Sequence, residues 1–149
     1  MVQNFLFLGI LAINTYNGNK RAFFINPRGG FDQIDFEFGI DTEVDSSCSL
    51  QWQNHYYVFG GRNDRRQVSM LNGNRLERKA KLDFYFEDGG CTVLNQLTIV
   101  LCFGDHNQKK TCRMSNNPRR KFTELRNSNH NHRSIRIASF DGKNNLSRN

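Results

Sequence analysis

Apolar and polar residues along this chain alternate in short runs, with turn-forming clusters between them. Ile34-Asp35-Phe36-Glu37-Phe38 places an acidic residue between each pair of apolar ones, and Leu82-Asp83-Phe84-Tyr85-Phe86 follows the same rhythm. A period of two puts three apolar side chains on one face of a strand. His55-Tyr56-Tyr57-Val58-Phe59 and Leu97-Thr98-Ile99-Val100-Leu101 are continuous aromatic and β-branched runs followed by glycine, the pattern of more deeply buried strands. Gln67-Val68-Ser69-Met70-Leu71 leads into Asn72-Gly73, a hairpin signal because both residues tolerate positive φ. Arg75-Leu76-Glu77-Arg78-Lys79-Ala80-Lys81 has helical propensity, yet its place in the pattern below makes it an outer, polar strand. The elements predicted are all β.

These strands recur. Cys48 and Cys91 are 43 residues apart, as are Gly61 and Gly104, and the segments between them align. A basic pair follows each glycine, Arg65-Arg66 and then Lys109-Lys110, and Met70 or Met114 comes five residues after its first member. An Asn-rich turn closes each copy, Asn72-Gly73-Asn74 or Asn116-Asn117-Pro118. The same ruler finds an earlier copy at Lys20-Arg21, Ile25 and Asn26-Pro27-Arg28-Gly29-Gly30, and a later one from Ser134 with a strand over residues 135–140 and a turn at Asp141-Gly142-Lys143. The expected organisation is a first, divergent blade over residues 1–44, a second over 45–88, a third over 89–133, and the start of a fourth or a frayed tail over 134–149.

Four-stranded units of this length, each with apolar residues before a glycine pair, are the signature of propeller blades. Tyr57-Val58-Phe59-Gly60-Gly61 resembles the kelch repeat, in which hydrophobic residues precede a diglycine at a strand end. Val100-Leu101-Cys102-Phe103-Gly104 is similar, with Phe103 in place of the first glycine. The likeness covers most of residues 45–142 and, more loosely, 5–44. The aromatic residues that kelch blades carry downstream of the diglycine are missing, and no Trp-Asp dipeptide of the WD type occurs. Through Cys48, Cys91, Cys102 and Cys112 the chain also resembles cysteine-bearing kelch-like proteins of the animal extracellular space. The resemblance implies an incomplete β-propeller of about three antiparallel blades, with Gly60, Gly61 and Gly104 as blade glycines. It implies a non-catalytic scaffold whose loops hold protein or glycan partners. A closed ring needs at least four blades, so one apolar sheet face is left for further blades of the same parent chain or for a self-associating copy.

Composition narrows the function without naming a ligand. The chain has 149 residues with 21 Lys plus Arg against 14 Asp plus Glu, a net charge of +7. That balance admits nucleic acid or acidic glycan as partners. Stacked copies would align Lys20, Arg21, Arg65, Arg66, Lys109 and Lys110 along one rim, where a row of cations could track a phosphate or sulfate backbone. The aromatic residues sit in strand patterns and read as core, which leaves base stacking without a platform. Residues 5–13 are the most apolar run, either the core of a secretory signal or a buried strand. No Lys or Arg precedes them, and a cleavage after Ala12 would leave a very short leader, so the strand is the expectation. No apolar stretch approaches the roughly 18 residues of a spanning helix, so membrane insertion is not expected.

Candidate chemistry is sparse. Cys102 and Cys112 flank one hairpin loop and are placed to bridge, whereas Cys48 and Cys91 are either core thiols or partners across a blade interface. A Cys102–Cys112 bridge would place the protein outside the cell, and free thiols would favour the cytoplasm. His130 and His132 have a spacing that would suit a metal on a strand, but lie in an Asn-rich segment with no third ligand evident. No nucleophile elbow, phosphate loop or His-Glu-x-x-His helix is present, so no catalytic, metal or cofactor residue is assigned and an enzyme is not expected. Asn145-Leu146-Ser147 is the one N-glycosylation triplet, relevant if the chain is secreted.

Overall fold

The computed structural model describes residues 10–14, 21–25, 31–34, 37–38, 44, 46–73, 75–104, 111–125, 138–140 and 143–145; before Val44 and after Leu125 it describes backbone only. Every regular element in this set is a strand. A three-stranded sheet is formed by β1 (Ile10–Asn14), β2 (Arg21–Ile25) and β3 (Phe31–Ile34). Next come β4 (Glu37–Phe38), β5 (Cys48–Trp52), β6 (His55–Phe59), β7 (Gln67–Asn72) and β8 (Arg75–Lys81), in the spatial order β4-β8-β7-β6-β5. A further sheet has β9 (Gly90–Leu94), β10 (Thr98–Cys102), β11 (Cys112–Ser115) and β12 (Thr123–Glu124) in the order β12-β11-β10-β9. β13 (Ala138–Phe140) and β14 (Lys143–Asn145) pair as a hairpin. All these pairings are antiparallel except β4 on β8.

Thus β5–β8 and β9–β12 are two antiparallel four-stranded meanders, and the described sheets are not closed into a ring. Arg75–Lys81 is a strand, not a helix, with β4 rather than β8 at the sheet edge, and its register with β7 buries Leu76 while Arg75, Arg78 and Lys81 stay exposed. Two expected strands are corrected. The run over residues 34–38 divides between β3 and β4, which join different sheets: Ile34 pairs with Ala22, while Phe38 pairs with Leu76. The run over residues 82–86 is not a strand. Its alternation survives, with Leu82 and Phe86 buried and Asp83 and Tyr85 exposed. Its backbone bonds, however, go to a loop. Leu82 N–H donates to the Arg66 carbonyl and Phe86 N–H to that of Arg65, each at 2.7 Å.

The core lies between the two meanders. From the first come Leu50, Tyr57, Phe59, Val68 and Met70, and from the second Cys91, Ile99 and Leu101; Leu82, Phe86 and Phe122 close the cluster. Phe59 and Ile99 are fully inaccessible, and burying a side chain of that size contributes about 1.5–3 kcal/mol. Tyr56, Val58, Leu71 and Leu76 form a separate cluster on the other face of the first meander. Val100, Cys102 and Phe103 do so on the far face of the second.

The parity of these faces shows how the sheets stack. Phe59 points into the shared core, but Cys102, its equivalent 43 residues on, points out the far side. Tyr56 points away from the shared core, while its equivalent Ile99 points in. Equivalent residues of β6 and β10 therefore face the same way round.

Candidate functional site

Two disulfides and two hairpins determine how the sheets present their loops. β5 and β6 join through Gln53 (φ 46°) and Asn54 (φ 64°), with Trp52 opposite His55. Two consecutive positive φ values make the tight, strand-matched two-residue turn. β9 and β10 join through Asn95 (φ 49°), Gln96 (φ 60°) and Leu97, with Leu94 opposite Thr98. Leu97 is one residue more than the first hairpin has. It shifts β9 on β10, so Cys91 lies opposite Leu101, whereas Cys48 lies opposite Phe59. A one-residue shift turns every side chain of a strand to the other face. Cys91 consequently points toward the first meander and bonds Cys48, with Cα atoms 6.0 Å apart. The Leu97 carbonyl accepts a 2.8 Å hydrogen bond from Trp52 Nε1, which ties the two hairpin tips together.

Cys102 and Cys112 are bridged across directly opposed positions of β10 and β11, with Cα atoms 4.0 Å apart. Beside them Phe103 N–H donates to the Thr111 carbonyl at 2.9 Å. All four cysteines are thus oxidised, the state that an oxidising compartment supports. Spacing alone left the Cys48–Cys91 partnership open, because it does not reveal the hairpin register.

The glycines hold the opposite end of the sheets. Phe86 is the wedge there. Its carbonyl accepts from Gly61 N–H at 2.9 Å, and its ring lies against Gly89 and Gly104, where a Cβ on either glycine would meet ring carbons. Gly60 has φ 62° and no room for a Cβ beside the Phe86 carbonyl. Glycine is required at these points by close approach and, at Gly60, by backbone hand. Gln67, fully buried, donates from Nε2 to the Gly60 carbonyl at 2.7 Å and accepts from Ser69 Oγ at 3.1 Å.

The expected cationic rim meets this end, and the structure gives its described members internal work. Arg65 Nε lies 2.6 Å from Glu87 Oε2, and Arg62 Nε lies 3.7 Å from Oε1 of the same carboxylate. Arg66 Nε donates to the Leu82 carbonyl at 2.7 Å, and its guanidinium stands 6.0 Å from the centre of the Tyr85 ring. Arg65 and Arg66 therefore fasten the linker over residues 82–87 to the loop over 60–67. Lys20, Lys109, Lys110, His130 and His132 lie outside the described residues, and Arg21 and Asn145 are described as strand backbone alone.

The Asn-rich turn at Asn116-Asn117-Pro118 leads from β11 toward β12, and the basic triplet after it was not assigned to a site from the sequence. Pro118 and Phe122 are buried at either side of it, and Phe122 packs edge-on against Phe59 and Phe84. Between them Arg119, Arg120 and Lys121 are exposed. Asn117 Oδ1 accepts from Arg119 N–H at 2.9 Å, and the Asn117 carbonyl accepts from Arg120 N–H at 3.1 Å and Ser115 Oγ at 2.8 Å. Arg119 reaches over the first meander to Met70 Sδ at 3.8 Å. The available signal was a basic triplet following Asn-Asn-Pro and preceding a lone aromatic.

Among the described residues no group of three His, Cys, Asp or Glu side chains could hold a metal ion. Tyr56 is pushed above its ordinary value of 10.0 by burial, and Glu77 is held below the usual carboxylate range by hydrogen bonds from Lys79 and Asn72. Neither sits in a cluster that could exchange protons with a substrate. No protein-family model and no curated protein sequence matches the chain.

Proposed function

We propose that this chain is a segment of a kelch-like β-propeller that works outside the cell as a non-catalytic scaffold for protein or glycan partners. The observation carrying this reading is the stacking sense of β6 and β10: equivalent residues such as Phe59 and Cys102 face the same way round, as expected of successive blades. Glycines that admit the Phe86 wedge at the strand ends support the kelch likeness. Two disulfides favour an oxidising, extracellular setting. A rigid, cross-linked sheet pair suits recognition by loops, since binding residues held on a stiff scaffold lose little freedom on docking.

The rim-based alternative, a binder of nucleic acid or sulfated glycan through Arg65, Arg66 and their equivalents, is weakened because Arg65 is paired and Arg66 is bonded to the linker. A binding screen of the purified chain against printed glycans and secreted ectodomains tests the scaffold reading. Saturable binding to a glycan or ectodomain, competed by soluble ligand, is the expected result. Turnover of any arrayed substrate, or saturable binding to neither class, overturns it.

A further inference from the structure

Several of the described cations meet carboxylates. Arg65 is paired with Glu87, Arg78 with Asp64, Lys79 with Glu77 and Arg113 with Glu124. Arg119, Arg120 and Lys121 have no carboxylate partner among the described residues. They are consecutive and all exposed. Their backbone is clamped at both ends by buried Pro118 and Phe122 and from within by Asn117 and Ser115. Among the described residues the Arg119 side chain donates to a thioether, a weak acceptor that does not compensate the guanidinium charge.

From this we infer a polyanion-binding knuckle at Arg119, Arg120 and Lys121, whose ligand is a sulfated polysaccharide. Three unneutralised cations on one fixed turn attract a chain that carries repeated charge, and their binding releases counterions. The turn is held before the ligand arrives, so little backbone freedom is lost on docking. Sulfated glycan is favoured over nucleic acid on two observations. The disulfides favour an oxidising, extracellular setting, away from the nucleic acid of the cell interior. The neighbouring aromatics Phe84 and Phe122 pack on one another, and Phe122 is buried, so they offer no open platform for stacked bases. This inference rests on the glycan half of the scaffold reading and moves its contact from the rim to this turn.

The test measures binding of a heparin decasaccharide to the full chain from 0.05 to 0.3 M NaCl. R119A/R120A/K121A should lose about tenfold in affinity at 0.1 M NaCl, and its salt slope should fall by about two to three. R75A/K81A removes two exposed cations elsewhere and should stay within twofold. R120Q/K121Q leaves the Arg119–Met70 contact in place and should lose about fivefold, which keeps the test valid if the triple variant misfolds. Failure of the unaltered chain to bind the decasaccharide, equal losses per charge at both places, or a larger loss in R65A/R66A overturns the assignment. Equal affinity for single-stranded DNA of matched charge through the same residues overturns the choice of sulfated glycan. Binding of an ectodomain or neutral glycan without the decasaccharide would leave the scaffold reading standing and remove only this site.

Discussion

The meanders β5–β8 and β9–β12 share one antiparallel order, and single-residue differences in their first two hairpins decide how the molecule is held together. In the first, a two-residue turn sets Cys48 opposite Phe59; in the second, Leu97 lengthens the turn and sets Cys91 opposite Leu101. Were the hairpins alike, Cys91 would point to the same side as Cys102 and could not meet Cys48. A length change of one residue in an exposed turn thus creates a covalent bond between sheets. The loops after β6 and β10 differ in a similar way. Phe59 pairs with Val68, but Cys102 pairs with Cys112, a hairpin one residue longer that is closed by its own disulfide.

Deleting Leu97 should have the largest effect. It should return β9 to the register of β5, free Cys48 and Cys91, and lose about 4 kcal/mol of cross-link stabilisation for a loop of this length. Thiol counting by mass spectrometry and a denaturant titration would show it, and a retained Cys48–Cys91 bond would refute the register argument. Next in size is C102S/C112S. This change makes the second hairpin as open as the first and should cost about 2.5 kcal/mol, because the loop enclosed is much shorter. The Cys48–Cys91 bond should survive it intact, a result readable from the same mass measurement.

Glu87→Gln sharpens the comparison at the linker between the meanders. It leaves Arg65 beside a neutral amide and should cost about 1 kcal/mol, a small figure because Arg65 and Arg62 are both partly in water. Added salt should shrink the difference between the two proteins; a salt-independent loss would point to packing. The smallest effect is at Tyr56, whose equivalent Ile99 cannot titrate. Burial raises Tyr56, so the folded chain keeps this proton where the unfolded chain releases it. Stability from this group is complete below about pH 10 and falls as pH rises through the elevated value. Absorbance at 295 nm should show one phenol ionising late, and Tyr56→Phe should remove that phase.

Much of the architecture was legible because it rests on local chemistry. Alternation marked which residues of 82–86 are buried, the glycine after residue 59 marked a strand end, and Asn72-Gly73 marked the β7–β8 hairpin. The misread element shows the boundary. Residues 82–86 have the pattern of a strand, but a strand needs a neighbouring backbone, and here Arg65 and Arg66 supply the acceptors from a loop. The Arg65 ion pair was out of reach for the same reason: a basic pair in sequence does not disclose that Glu87, 22 positions from Arg65, folds against it.

The β class and the 43-residue spacing were readable in the chain alone, since both rest on the period of its residues. Which sulfur meets which, which described cations meet a carboxylate, and which glycines lie against Phe86 were decided by the tertiary structure. Those outcomes depend on strand register and on groups distant in the chain, and a one-residue change in register reverses the direction of every side chain on a strand.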